Sequence, residues 1–244
     1  MPTPTLLRGV LLDIDGTLID SNDAHARAWE EVFRAYGYDI SAQRVRPLIG
    51  MGGDKLLPEL TGLASEAPKA KEMSERRTRL FLEQYLPRLR VFPGARELLL
   101  RMKRDGLKLV VATSANEEEL GALLRVIGVQ DLVDDTTTKS DVESSKPDPD
   151  AIHAALDAGG LAPGEVLMLG DTPYDVAAAR RAGVDTIALR SGGWSDEALR
   201  GAVALYDDVA ALLADYERSP LGRSSTARGH VAHRTPAEAR PPGR

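Results

Sequence analysis

Residues 10–17 read Val-Leu-Leu-Asp-Ile-Asp-Gly-Thr, an apolar run that ends in two aspartates one residue apart. A buried strand that stops at Asp13 places this carboxylate at the strand's carboxyl end, where open α/β sheets hold their ligands. Asp15 lies beside it. Two carboxylates so close repel unless a cation lies between them or one is kept protonated as a general acid. An ordinary Asp-Gly turn has the same local form, so the partners decide. Residues 109–113 (Leu-Val-Val-Ala-Thr) are a second apolar run, ending in a hydroxyl that Ser114 follows. Residues 166–171 (Val-Leu-Met-Leu-Gly-Asp) are a third, ending in a carboxylate, with Asp175 four residues later. Between these runs Lys146 is pinned in the loop Ser144-Ser145-Lys146-Pro147-Asp148-Pro149, ahead of a helical pattern.

The elements that must position these groups alternate strand and helix. Apolar runs at 8–13, 107–112, 130–133, 165–169 and 185–189 read as strands. Helical patterns fall between them: Leu98, Leu99 and Met102; Leu120, Leu123, Leu124 and Ile127; Ile152, Ala155 and Leu156; and an alanine-rich turn at 175–182. Gly106, Gly128, Gly159 and Gly183 follow such patterns, where a helix carboxyl cap is expected. The fold class this predicts is α/β: a doubly wound parallel sheet, Rossmann-like, with helices on both faces. About seventy residues separate the first strand from the second, far more than a crossover needs. Trp29, Val32, Phe33 and Tyr36 suggest one helical face there, and Leu80, Phe81, Gln84, Tyr85 and Leu89 another.

Composition bounds the rest. The chain has 244 residues, 43% hydrophobic, enough for a sizeable core. It has no cysteine, which excludes disulfides and thiolate metal sites. No stretch approaches the roughly 20 apolar residues of a membrane span, and the amino terminus lacks a basic, apolar secretion signal, so a soluble cytoplasmic protein is expected. The net charge of −6 divides unevenly: six arginines and two glutamates from Glu217 onward carry about +4, leaving the body near −10. An acidic body argues against nucleic acid as a partner. Residues 217–244, rich in Ser, Thr, Arg, Pro and Gly, are expected to be a disordered tail.

In this order and with these flanks, the Asp-x-Asp, Thr-Ser, Lys-Pro and Gly-Asp motifs resemble the haloacid dehalogenase superfamily of phosphotransferring hydrolases, over about residues 6–216. The resemblance implies a Rossmann-like core of residues 1–19 and 91–216 and an inserted α-helical cap of residues 20–90. It implies Asp13 as nucleophile forming an aspartyl-phosphate, Asp15 as acid and base, and Thr113 and Lys146 on the phosphoryl oxygens. Mg2+ is the implied cofactor, held by Asp13, Asp171 and the Asp15 carbonyl, with Asp175 orienting the set. Ser114, Ala115, Gly16, His25 and Lys55 are the expected substrate-binding residues, the ligand being a small phosphorylated metabolite and the protein a monomer or weak dimer.

Within the superfamily, Asp15 speaks against dehalogenation, which needs no acid for a halide. The loop Gly50-Met51-Gly52-Gly53-Asp54-Lys55 looks like that of phosphonoacetaldehyde-cleaving relatives, but Asp15 and Lys146 stand where those enzymes usually have alanine and arginine. Sugar-phosphate mutases similar to β-phosphoglucomutase often carry an arginine in this loop; here Gly53 and Asp54 occupy it. A phosphatase of the phosphoglycolate or sugar-phosphate type is therefore expected, ahead of a mutase. A binding protein without turnover would be expected to have lost Asp13, Asp15, Lys146 or Asp171, and none is lost.

Overall fold

In the computed structural model, which describes residues 6–223, the chain alternates strands and α-helices, with shorter turns of helix between them. The strands are β1 (Gly9–Leu12), β2 (Ile19–Asp20), β3 (Arg90–Val91), β4 (Lys108–Ala112), β5 (Asp135–Thr137), β6 (Val166–Gly170), β7 (Asp185–Leu189) and β8 (Ala204–Tyr206). The helices are α1 (Asn22–Ala35), α2 (Ala42–Val45), α3 (Gly53–Thr61), α4 (Pro68–Leu80), α5 (Ala95–Arg104), α6 (Glu117–Ile127), α7 (Asp150–Gly159), α8 (Pro173–Arg181) and α9 (Val209–Ala214). Six strands form one sheet in the order β5-β4-β1-β6-β7-β8, every neighbouring pair parallel.

The central strands are apolar on both faces because helices cover both. Alternate residues serve opposite sides. Val10, Leu12, Leu109 and Val111 pack with Leu98, Leu99 and Met102 of α5 and Leu120 and Leu123 of α6. Leu11, Val110, Ala112 and Met168 pack with Ile152 and Ala155 of α7 and Ala178 and Ala179 of α8. The chain passes from β1 to β4 and β5 on one side, then returns to β6 on the other. β1 is thus the switch point of the sheet, where a crevice opens at the carboxyl edge.

Between β2 and β3 the chain builds a separate helical layer. Trp29, Val32 and Phe33 of α1, Val45, Leu56 and Leu57, and Met73 of α4 form its own apolar cluster. Its two ends are held together because β2 and β3 pair antiparallel, Ile19 with Val91 and Asp20 with Arg90.

Some elements differ from the sequence reading. The strand expected at 130–133 lies at Asp135–Thr137, while Leu132 packs into the core from the turn before it. β5 is an edge strand whose Asp-Thr-Thr sequence carries no apolar run. The edge strand β8, half-buried throughout, lies in the short apolar stretch 202–206, which the strand pattern did not include. Gly106, Gly128 and Gly183 adopt the left-handed backbone expected of caps, but behind α7 it is Gly160, at φ 59, and not Gly159. Gly159 is the last helical residue, and a Cβ there would sit 2.9 Å from Leu161.

The first residues of the expected tail, 217–223, are placed in the fold. Tyr216–Arg218 form a turn, and Leu221, 1% exposed, joins the main apolar cluster. Arg101 holds the turn by bonding Glu217 at 2.5 Å and lying over the Tyr216 ring. A single leucine and a tyrosine suffice to dock a segment that is otherwise polar. The remainder of the expected tail, 224–244, lies outside the described residues. Leu221→Ala should therefore cost about 2–3 kcal/mol in urea unfolding; an unchanged midpoint would show that this segment does not pack in solution. Among the described residues no helix is long and apolar enough to cross a membrane.

Candidate active site

Leu12 lies opposite Val111 of β4 and Leu169 of β6, so the residues that follow these strands emerge side by side at the carboxyl edge. Asp13, the first beyond β1, is fixed by its N–H to the Leu169 carbonyl at 2.9 Å. Lys146 reaches it from the loop before α7. Its ammonium donates to Asp13 Oδ1 at 2.6 Å and Asp175 Oδ1 at 2.7 Å, with the whole side chain buried. Burial works against the charge on Lys146, but Asp13 and Asp175 outweigh it and hold the ammonium above its usual range.

The carboxylates are under the opposite pressure. Burial pushes Asp13 up to about 7, with Asp175 adding to the rise and Lys146 opposing it. Burial, then the charges of Asp13 and Asp175, raise Asp171 well above the ordinary carboxylate range. Thr17 Oγ1 and Asn22 Nδ2 donate to the two Asp171 oxygens at 3.1 and 2.9 Å. Gly16 is required beside them: a Cβ there would fall 2.1 Å from Asp171 Oδ2. Asp175 sits in the first turn of α8, where its Oδ2 accepts from Thr172 N at 3.0 Å and Thr172 Oγ1 at 2.6 Å. This reciprocal cap fixes the oxygen that faces Lys146.

Oxygens of Asp13, Asp171 and Asp175 lie within 4.8 Å of one another. Three buried carboxylates with one lysine between them leave negative charge that a hard divalent cation with oxygen ligands would balance. The donor set fits Mg2+. Asp13 and Asp171 are the carboxylates placed to hold it, since the Asp175 oxygens are committed to the Lys146 ammonium and to the cap of its own helix at Thr172.

Asp15 faces a different environment. Its Oδ1 accepts from Ser21 and lies 2.8 Å from His25 Nε2. Burial alone would raise Asp15, but the charge and hydrogen bond of His25, then Ser21, bring its carboxyl below the usual range. His25 is stacked on Phe81, ring centroids 3.9 Å apart. Its Nδ1 lies 3.4 Å from Arg77 Nη1 of α4. Arg77 in turn grips Glu119 of α6 with both terminal nitrogens. Glu119, wholly buried, also accepts from Asn116 Nδ2 at 3.1 Å.

A cavity of about 60 Å3 joins these groups. Asp13, Asp15 and Thr113 to Ala115 line it from the sheet, while His25, Trp29, residues 49–53 and Arg77 line it from the helical layer. Thr113 Oγ1 accepts from Ala115 N at 3.1 Å, and Ser114 Oγ is buried without a partner.

The expected residues Asp13, Asp15, His25, Thr113, Ser114 and Ala115 thus line one cavity, with Lys146, Asp171 and Asp175 bonded behind it. Two do not join them as expected. Gly16 commits its N–H to the Ile19 carbonyl at 2.8 Å and its own carbonyl to Ser191, so it shapes the turn and offers substrate no donor. Lys55 does not line the cavity: one turn into α3, its ammonium lies on Asp148 of the core. Asp15 stands apart from the three-carboxylate cluster, its side chain turned to Ser21 and His25. Thr17, Ser21, Asn22, Arg77 and Glu119 were not foreseen. A weak signal existed for the first three, which all follow the Asp-x-Asp motif within seven residues.

Comparison with known proteins gives concordant findings. Residues 10–189 match the family model of the haloacid dehalogenase-like hydrolases. A phosphoglycolate phosphatase of Rhodospirillum rubrum is 33% identical over 218 residues, covering 84% of this chain and 89% of the relative. The crystal structure of a hydrolase from Pseudomonas syringae superposes with a TM-score of 0.80 at 30% identity, covering 86% of this chain and 98% of the other. CbbY from Rhodobacter sphaeroides, solved in complex with phosphate, superposes with a TM-score of 0.74 at 26% identity over 85% and 96% of the two chains.

Proposed function

This chain belongs to the haloacid dehalogenase-like hydrolase family and is a phosphatase, and from that premise we propose that it hydrolyses a small phosphomonoester, of the phosphoglycolate or sugar-phosphate type, through an aspartyl-phosphate on Asp13. The observation that carries this reading is the contrast between two aspartates one residue apart. Asp13 is bonded to Lys146 and crowded by Asp171 and Asp175, while Asp15 turns away to Ser21 and His25. Their placement divides the roles: Asp13, in the carboxylate cluster that a cation would neutralise, would be kept ionised for attack, while Asp15, on the cavity wall beside His25, is left for proton transfer.

Each residue has a task that a phosphate ester sets. The transferring phosphoryl group carries charge on its oxygens, and catalysis consists mainly of positioning and of opposing that charge. Lys146 and Thr113 hold those oxygens, with Ser114 Oγ as a further donor. Asp13 Oδ attacks phosphorus as the ester oxygen leaves. Asp15, on the cavity wall 2.8 Å from His25 Nε2, delivers a proton to the leaving oxygen. Asp15 then takes a proton from the water that opens the acyl-phosphate, so one group serves both half-reactions. Mg2+, held by Asp13 and Asp171, supplies positive charge that balances the carboxylates and the phosphoryl oxygens.

The helical layer of residues 20–90 is the cap over this site, with the β2–β3 pair as its stem. The small cavity makes opening of that layer the step that admits substrate. A cytoplasmic setting and a monomer or weak dimer belong to the same reading. The direct test is hydrolysis of p-nitrophenyl phosphate by the purified chain. Turnover with Mg2+ that stops on exhaustive chelation is expected, and full activity in the chelator would overturn the metal-assisted mechanism.

A further inference from the structure

We propose that the site selects an uncharged, hydroxyl-bearing leaving group, and that the Arg77–Glu119 pair enforces this choice; the proposal rests on the phosphatase reading above and narrows its substrate. Among the described residues that line the cavity, Arg77 is the only arginine or lysine. An acidic leaving group, such as a carboxylate or second phosphate, would need this cation. Its edge is already taken by both Glu119 oxygens, and its face lies 5.3 Å over the Trp29 ring. Glu119 is wholly buried, so a substrate anion that captured Arg77 would strand a buried carboxylate without its counter-charge.

The remaining positive feature is neutralised too. The amino terminus of α3 lines the same cavity through Gly52 and Gly53. Asp54, in the first turn of that helix, brings its own carboxylate to the positive end. An acidic leaving group would therefore meet Asp13, Asp15 and Glu119 with no free cation to receive it. Hydroxyl groups suit what is left. Arg77 Nε is a buried polar atom on a lining side chain with no partner, a single donor able to bond a neutral oxygen while the Glu119 pair stays intact. Discrimination of this kind works by repulsion and stranded charge against the wrong substrate as much as by attraction to the right one.

The test compares kcat/KM, in Mg2+, for matched esters: glycerol 1-phosphate against 2-phosphoglycolate, and a hexose 6-phosphate against the hexose 1,6-bisphosphate. The neutral member of each pair should be favoured by about tenfold or more. Glu119→Gln, which frees Arg77, should shift that ratio about tenfold toward 2-phosphoglycolate, whereas a merely structural role for Glu119 would lower both members equally. Preference of the wild type for the acidic member, or turnover of p-nitrophenyl phosphate with none of the neutral esters accepted, would overturn the proposal even if Glu119→Gln failed to fold. Absence of turnover on every ester, p-nitrophenyl phosphate included, would instead remove the phosphatase reading on which it rests.

Discussion

Asp13→Asn should lower turnover by roughly 10^4-fold or more while leaving the fold intact. An amide has no anionic oxygen to attack phosphorus, and loss of a nucleophile is not made up by the groups around it. The fold should survive because the substitution preserves shape, and Lys146 keeps its bond to Asp175 at 2.7 Å. Removing a carboxylate that burial pushes up to about 7 also relieves its repulsion with Asp171 and Asp175. The melting temperature of the variant, measured without metal, should equal or exceed that of the wild type. Retained turnover would exclude Asp13 as nucleophile. Lost turnover with a collapsed melting transition would assign it a structural role.

Asp171→Ala should abolish the response to Mg2+, weakening cation affinity by more than about a hundredfold. Its effect on stability depends on pH in a defined direction. In the folded, metal-free chain Asp13 keeps its proton up to about pH 7, against 3.8 for an ordinary carboxyl. Between those values the folded state binds more protons than the unfolded one, so stability falls as pH rises. Asp171 contributes in the same sense. A bound cation takes the place of those protons and removes the loss. Mg2+ should thus raise the wild-type Tm more at about pH 7.5 than at about pH 5, and Asp171→Ala should show neither effect. A Mg2+ response of the same size in wild type and variant would contradict this assignment.

The parts of the fold and site that could be read in the sequence share a physical cause. β1, β4 and β6 are buried on both faces, so they appear as unbroken apolar runs, and the polar residue ending each run marks the sheet's carboxyl edge. Asp13, Thr113 and Asp171 were legible for that reason. β5 is a sheet edge of polar residues with no apolar run to announce it, and β8 is a half-buried edge of three residues within the short apolar stretch 202–206. Arg77 and Glu119 were hidden differently. Each lies in a run of charges, Glu75-Arg76-Arg77 and Glu117-Glu118-Glu119, where a solvated helix surface is the ordinary reading. Only the approach of α4 to α6 singles out one member of each run. Lys55 shows the converse error: its loop resembles a substrate loop, but the start of α3 at Gly53 directs the ammonium to Asp148.

The account stands or falls on where the phosphoryl group goes. Brief reaction with a phosphorus-labelled ester, acid quench and peptide mapping locate it directly. The label should appear as an acyl-phosphate, cleaved by hydroxylamine, on the peptide containing Asp13, and be absent in Asp13→Asn. Label on any other residue, or steady turnover with no labelled protein even when the second half-reaction is slowed by Asp15→Asn, would contradict it.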